Sequence, residues 1–269
     1  MPDNGRQLEA IILAAGQGTR MNSDLPKVLH EVADRPMVAW VVDAARRAGA
    51  SRCVVVVGYK AELVREALAD QPDVVFVEQA ERLGTGHAAM MAQPLYADRD
   101  DCDVLVIAGD MPLLRSATLS RLVAAHRKQN AVGSMATGEL DDPTGYGRIL
   151  RDKRGAFIGI IEHKDATADE RLICEVNPSC YCYRSKRLFD LLKRIRSDNA
   201  AGEYYITDTM RAILQAGEAV AVVKSMGDEE VQGINTPAQL AAVDAMMRRR
   251  PPESSDERET AEAQREARR

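Results

Sequence analysis

No part of the chain is apolar for long enough to cross a membrane; its hydrophobic stretches are strand-sized runs such as Val54–Val57. A surplus of positive charge is also missing. Lys and Arg number 36 against 41 Asp and Glu, a formal net charge of -5, so no nucleic-acid surface, which would need a basic face, is expected. The five cysteines, at 53, 102, 174, 180 and 182, form no C-x-x-C pair. Zinc and thioredoxin-like chemistry therefore have no support, and reduced thiols packed in a core point to the cytoplasm. Cys180 and Cys182 are expected to share one face of a strand. The four histidines, His30, His87, His126 and His163, are dispersed and suggest no His-centred catalytic dyad. Met1–Gln7 is polar and leads straight into a strand, unlike a secretory signal. No internal repeat is visible.

What is present is the composition of a globular protein, 45% hydrophobic and 29% charged over 269 residues. Residues 1–250 read as one domain; 251–269 read as a charged, disordered tail. Strand-like and helix-like segments alternate. Strands are expected at Leu8–Leu13, Arg52–Val57, Val74–Val77, Val104–Ile107 and Ala131–Thr137. Helices are expected at Pro36–Ala48 (with Pro36 in its first turn), Ala61–Ala69, Gly86–Tyr96 and Ser116–Gln129. That order predicts an α/β fold, a mostly parallel sheet with helices on both faces. After Gly138 the strands shorten (Ile149–Leu150, Phe157–Ile161, Ser179–Tyr183), which predicts an antiparallel extension over the site. Helices return at Lys186–Arg196, Tyr204–Gln215 and Pro237–Arg249, with a strand at Val220–Val223.

The first strand runs into Leu13-Ala14-Ala15-Gly16-Gln17-Gly18-Thr19-Arg20-Met21, followed by Pro26-Lys27. A glycine-rich loop at the carboxyl end of a parallel strand can aim several backbone N–H groups at one anion. Small residues let the backbone approach, and Arg20 and Lys27 supply fixed positive charge. A dinucleotide fingerprint would need a third glycine where Met21 stands. A P-loop would need Gly-Lys-Ser/Thr, which is absent.

Further motifs follow at the ends of later strands. Gln79 precedes Leu83-Gly84-Thr85-Gly86-His87-Ala88; a carboxamide can read a pyrimidine edge, although Thr85 alone would also serve as a helix N-cap. Ala108-Gly109-Asp110 offers a hard oxygen for Mg2+, with Asn235 of Gly233-Ile234-Asn235-Thr236-Pro237 as its partner or, equally, as the cap of the last helix. The loops Asp141-Asp142-Pro143-Thr144-Gly145-Tyr146-Gly147-Arg148 and Glu162-His163-Lys164-Asp165-Ala166-Thr167 suit sugar hydroxyls through Gly147 and Glu162. Asn177 and Gly202-Glu203-Tyr204-Tyr205-Ile206-Thr207-Asp208 add polar groups. Singly, each of these is more often a turn, a cap or a surface charge.

Taken in order, the motifs from Leu8 to Asp244 resemble those of the sugar-nucleotide pyrophosphorylases. Within them they are most similar to the uridylyltransferase domain of bacterial N-acetylglucosamine-1-phosphate uridylyltransferases. The resemblance implies a Rossmann-like nucleotide-diphospho-sugar transferase fold with a small sugar-binding lobe. It implies that Leu13, Ala14, Ala15 and Gly16 hold the UTP phosphates with Arg20 and Lys27, and that Gln79, Gly84 and Thr85 read uracil. Ala108, Gly109, Asp110, Gly147, Glu162, Asn177, Tyr205, Thr207 and Asn235 would meet the sugar 1-phosphate, and Asp110 and Asn235 would hold Mg2+. UTP and a sugar 1-phosphate are then the expected partners, with no membrane and no nucleic acid.

Three departures stand out. The family usually has Tyr where this chain has Ala108. Its Asn-Thr-Gly is here Asn177-Pro178-Ser179, and the proline removes a donor and keeps Asn177 extended. No hexapeptide repeats of an acetyltransferase domain are present, so neither acetyl transfer from coenzyme A nor the trimer built through that domain is expected. The alternatives are the same chemistry on another sugar 1-phosphate, or a non-catalytic nucleotide-sugar sensor. The joint presence of Arg20, Lys27, Asp110 and Asn235 argues against the sensor.

Overall fold

The structure, a computed structural model, describes residues 6–97, 99 and 101–250. The tail 251–269 and Met1–Gly5 lie outside the described residues. In chain order the elements are β1 (Leu8–Leu13), β2 (Glu31–Val32), β3 (Arg35–Pro36), α1 (Met37–Arg47), β4 (Cys53–Val57), α2 (Ala61–Ala67), β5 (Val74–Glu78) and α3 (Thr85–Met90). Then come β6 (Asp103–Ala108), α4 (Ser116–Lys128), β7 (Gly133–Glu139), β8 (Gly147–Arg151), β9 (Phe157–Ile161), β10 (Glu175–Asn177) and β11 (Cys180–Arg184). The chain continues with α5 (Ser185–Leu192), α6 (Asp208–Gln215), β12 (Val220–Lys224), α7 (Asp228–Val231) and α8 (Pro237–Arg249).

The sheet runs β5-β4-β1-β6-β11-β7-β10-β8-β9, with β12 beside β7. β5, β4, β1 and β6 are mutually parallel, and β11 is antiparallel to both β6 and β7. β7 and β12 therefore run in the direction of β6. The last residues of β7 pair with β10, which leads through antiparallel ladders to β8 and β9, the expected lobe.

Period-two alternation makes both faces of the parallel part apolar. Ile12, Cys53, Val55, Leu105, Ile107, Cys180 and Cys182 pack under α1, α2 and α4. Ile11, Val54, Val56, Val104, Val106, Tyr181 and Tyr183 pack on the other face, under α3, α5 and α6. Each such residue withdrawn from water contributes about 1.5–3 kcal/mol. A third cluster seats α8, through Val243 and Leu240, against Val32, Met37 and Trp40. Among the described residues no helix is long and apolar enough to cross a membrane.

Several expected boundaries move. Pro36 is the last residue of the β2–β3 hairpin, opposite Glu31, and α1 starts after it. The helix expected to reach Tyr96 stops at Met90, and Gln93–Leu95 forms a 3-10 turn around Pro94, which cannot supply a helix N–H. The helix expected from Tyr204 starts at Asp208, because the preceding backbone is bonded elsewhere.

Candidate active site

At the end of β1 the chain leaves the sheet between β4 and β6. Ala14 N still donates to Val56 O at 2.9 Å, whereas the N–H groups of Ala15, Gly16 and Gln17 donate to no acceptor among the described residues. Three successive free donors at a parallel strand's carboxyl end suit an anion. Gly58, directly after β4, lies against the back of this loop: a Cβ there would stand 2.8 Å from Ala15 Cβ and 2.9 Å from its carbonyl oxygen. Sequence reading missed Gly58, whose only signal was a glycine just past a buried strand. Gly18 takes φ 72°, and a Cβ on it would meet Lys27 Cβ at 2.6 Å. The glycine thus lets the lysine stem lie along the loop.

Lys27 and Arg20 converge on the two expected metal ligands. The Lys27 ammonium donates to Asp110 Oδ2 and, at 2.7 Å, to Asn235 Oδ1; Arg20 Nη2 donates to the same Asn235 oxygen at 2.7 Å. Asp110 follows β6, where Gly109 N donates to Leu13 O at 2.9 Å, and Ile234 N donates to Asp110 O at 3.1 Å. Asn235 is not the cap of α8. Thr236 is, in a capping box with Gln239. The Tyr146 hydroxyl accepts from Gly233 N at 2.9 Å, which ties the 141–148 loop to the Asn235 segment.

The 79–88 segment, expected to read the base, is equally tied. Gln79 is buried, and its Nε2 donates to Gly84 O at 3.1 Å and lies 3.0 Å from His87 Nδ1. Among the described residues nothing donates to the Gln79 carboxamide oxygen, an acceptor of the kind that matches the N3–H of uracil and mismatches cytosine. Gly84, at φ 105°, is the N-cap of α3; Thr85 is not, and its hydroxyl accepts from Ile206 N at 3.1 Å. Gly86 N donates to Tyr204 O and Tyr204 N to Leu83 O, both at 2.7 Å. With the Thr85–Ile206 bond they tie Tyr204 and Ile206 to the 83–86 loop, and the turn at Ile206–Thr207 then leads into α6, so that Tyr205 and Thr207 follow directly on this junction.

In the lobe, Gly147 and Asn177 stand opposite each other on β8 and β10. A Cβ on Gly147 would lie 3.4 Å from both Glu162 carboxylate oxygens. Thr207 Oγ1 donates to Glu162 Oε1 at 3.0 Å. Burial raises the Glu162 pKa, the Thr207 bond opposing and the Asp208, Asp165 and Glu203 carboxylates adding to it. Burial, with nearby carboxylates, also pushes Tyr205 up to about 12. Asn177 is buried, and its amide donates to Tyr181 OH at 2.6 Å. Ser179, standing where the similar family has glycine, takes φ 63°, and its carbonyl accepts from Ala108 N at 3.1 Å. A left-handed non-glycine residue costs about 1–2 kcal/mol. Leu13, Ala14, Ala15, Gly16, Arg20, Lys27, Ala108, Gly109, Asp110 and Asn235 thus meet at one sheet edge. Gln79, Gly84 and Thr85 flank it, joined through 203–207 to the Gly147, Glu162, Asn177, Tyr205 and Thr207 group.

A family model for the MobA-like NTP transferase domain matches residues 10–220. The chain belongs to this family. Among curated proteins it is 48% identical over 243 residues to bifunctional protein GlmU of Pelotomaculum thermopropionicum, covering 90% of this chain and 52% of that relative. It is 47% identical over 244 residues to GlmU of Alkaliphilus oremlandii, covering 91% and 52%. For GlmU of Syntrophomonas wolfei the identity is 42% over 244 residues, covering 91% and 54%. The chain thus spans about half the length of the curated relatives it matches. The NTP-transferase match agrees with the unbonded amides after β1 and the cations at their rim.

Proposed function

We propose that the protein transfers a uridylyl group from UTP to N-acetyl-α-D-glucosamine 1-phosphate, releasing pyrophosphate. The observation that carries this reading is the convergence of Arg20 and Lys27 on Asp110 and Asn235 beside the free amides of the phosphate loop. A carboxylate and a carboxamide oxygen already aimed at one cation fit a hard divalent ion. Among the described residues no group of three or more His, Cys, Asp or Glu forms a fuller metal site, and magnesium characteristically leaves its other positions to phosphate and water oxygens. Asp110 and Asn235 would hold Mg2+, which would supply neutralisation of phosphate charge.

The remaining chemistry belongs to the chain's own residues. The N–H groups of Ala15, Gly16 and Gln17 hold the triphosphate, and Arg20 and Lys27 stabilise charge on the departing pyrophosphate. Gln79 accepts from uracil and orients the base, fixing the α-phosphorus relative to the sugar. Glu162 accepts from sugar hydroxyls while Thr207 holds its carboxylate. A sugar-phosphate oxygen then forms a bond to the α-phosphorus as the bond to the bridging oxygen of pyrophosphate breaks. That oxygen is already ionised, so no general base is needed, and alignment accounts for much of the rate. Asp110→Ala tests the assignment: pyrophosphate release is expected to disappear while UTP binding persists. Retained, magnesium-dependent turnover would remove Asp110 from the metal site.

A further inference from the structure

We infer that Lys27 is an internal cation that holds Asp110 and Asn235 closed to a metal ion until a nucleotide triphosphate draws it away. The inference rests on the reading of Asp110 and Asn235 as the metal pair and adds a constraint on the order in which ligands enter. Its basis is that one ammonium nitrogen bonds both oxygens that the metal would use. The Lys27 side chain is 13% exposed and that of Asp110 19%, so water replaces little of this contact. The stem is held in place from behind, since it lies against the backbone of Gly18. Arg20 adds a second cationic donor to the same Asn235 oxygen.

An oxygen bonded to magnesium lies at about 2.0–2.1 Å from it. The same two oxygens cannot also hold an ammonium group between them, because the ammonium would press against a dication. Free enzyme therefore binds a divalent ion poorly. The triphosphate supplies anionic oxygens for Lys27 and Arg20 at the neighbouring amides, and their departure exposes Asp110 and Asn235. Metal and nucleotide then promote each other's binding by one common factor. Lys27 would thus serve twice, as guard of the metal ligands in the free enzyme and as phosphate cation in the complex.

The experiment titrates Mn2+, followed by the electron paramagnetic resonance signal of the free ion, into full-length wild type and variants without nucleotide and then with UTP. Lys27→Met keeps the stem and removes the charge; Lys27→Gln is a second neutral variant should the first fail to fold, as judged by circular dichroism. Either is expected to bind Mn2+ at least about tenfold more tightly than wild type in the absence of UTP. Adding Asp110→Ala should abolish that gain. Arg82→Met is the control for loss of nearby charge: Arg82 is held by Gln17 of the phosphate loop and bonds to neither metal oxygen. Equal affinity in wild type and Lys27→Met, or an equal gain in Arg82→Met, would overturn the guard role and leave the metal site standing. Absence of Mn2+ binding in every variant, with or without UTP, would instead overturn the metal reading itself.

Discussion

Gly58→Ala places one methyl group behind the phosphate loop, at a residue that the proposed mechanism never brings into contact with substrate. The added carbon would begin 2.8 Å from Ala15 Cβ, whereas ordinary contact begins at 3.4 Å, so the gap must open by about 0.6 Å. The neighbouring carbonyl, at 2.9 Å, and Cα, at 3.1 Å, block a sideways escape, so the loop itself has to move. Overpacking of this kind costs about 1–3 kcal/mol of stability. A displacement of about 1 Å at reacting groups costs on the order of 100-fold in rate. A loss of roughly 10- to 100-fold in kcat/KM for UTP is therefore expected, about 1.4–2.7 kcal/mol. The assay is steady-state pyrophosphate release, with thermal denaturation in parallel. Leu192→Ala, a core truncation on α5 costing about 2–5 kcal/mol, controls for destabilisation alone. Activity within twofold of wild type, or a loss that Leu192→Ala reproduces, would show that the loop's backing does not set catalysis.

Other outcomes follow from the same geometry. Gln79→Ala, which removes the acceptor proposed for N3–H, should lower the preference for UTP over CTP at least about tenfold; unchanged discrimination removes Gln79 from the base site. Glu162→Gln should raise KM for the sugar 1-phosphate about 10- to 100-fold, the loss of a hydrogen bond to a charged group. Since burial raises the Glu162 pKa, the same change should leave the melting temperature unchanged or higher, and a sharp fall would mean a structural role. His126 is fully buried with Ser134 as hydrogen-bond partner, and burial pushes it down to about 4 from 6.5. Its folded pKa lies below the unfolded one, so its contribution is complete above pH 6.5 and is lost as pH falls towards 4. That loss is on the order of 3 kcal/mol. Urea denaturation across this window should show a steeper fall for wild type than for His126→Asn; parallel profiles would contradict it.

Much of the fold was legible because the valine-rich β4 and the alternation along β1 and β6 leave few other arrangements. The departures have non-local causes. β10 is three residues long, and its pairing with β7 and β8 is invisible to local pattern. The segment before α6 reads as helix, yet its amides are taken by Leu83 and Thr85 of a distant loop. Asn235 and Thr236 are adjacent and either side chain can cap a helix; the Thr236–Gln239 capping box and the bonds from Arg20 and Lys27 to Asn235 separate their roles. Gly58 had no motif of its own, since its importance lies in touching Ala15. Ser179, by contrast, shows why glycine suits its position: the backbone there is left-handed.

The most direct test of the proposed reaction is pyrophosphate release from purified protein with UTP and Mg2+ across a panel of sugar 1-phosphates. Preferential turnover of N-acetylglucosamine 1-phosphate, with Ala108 and Pro178 in place, is the expected result. Preference for another sugar would keep the chemistry and reassign the lobe. Failure to release pyrophosphate with any sugar or nucleotide, from protein shown to be folded, would contradict uridylyl transfer.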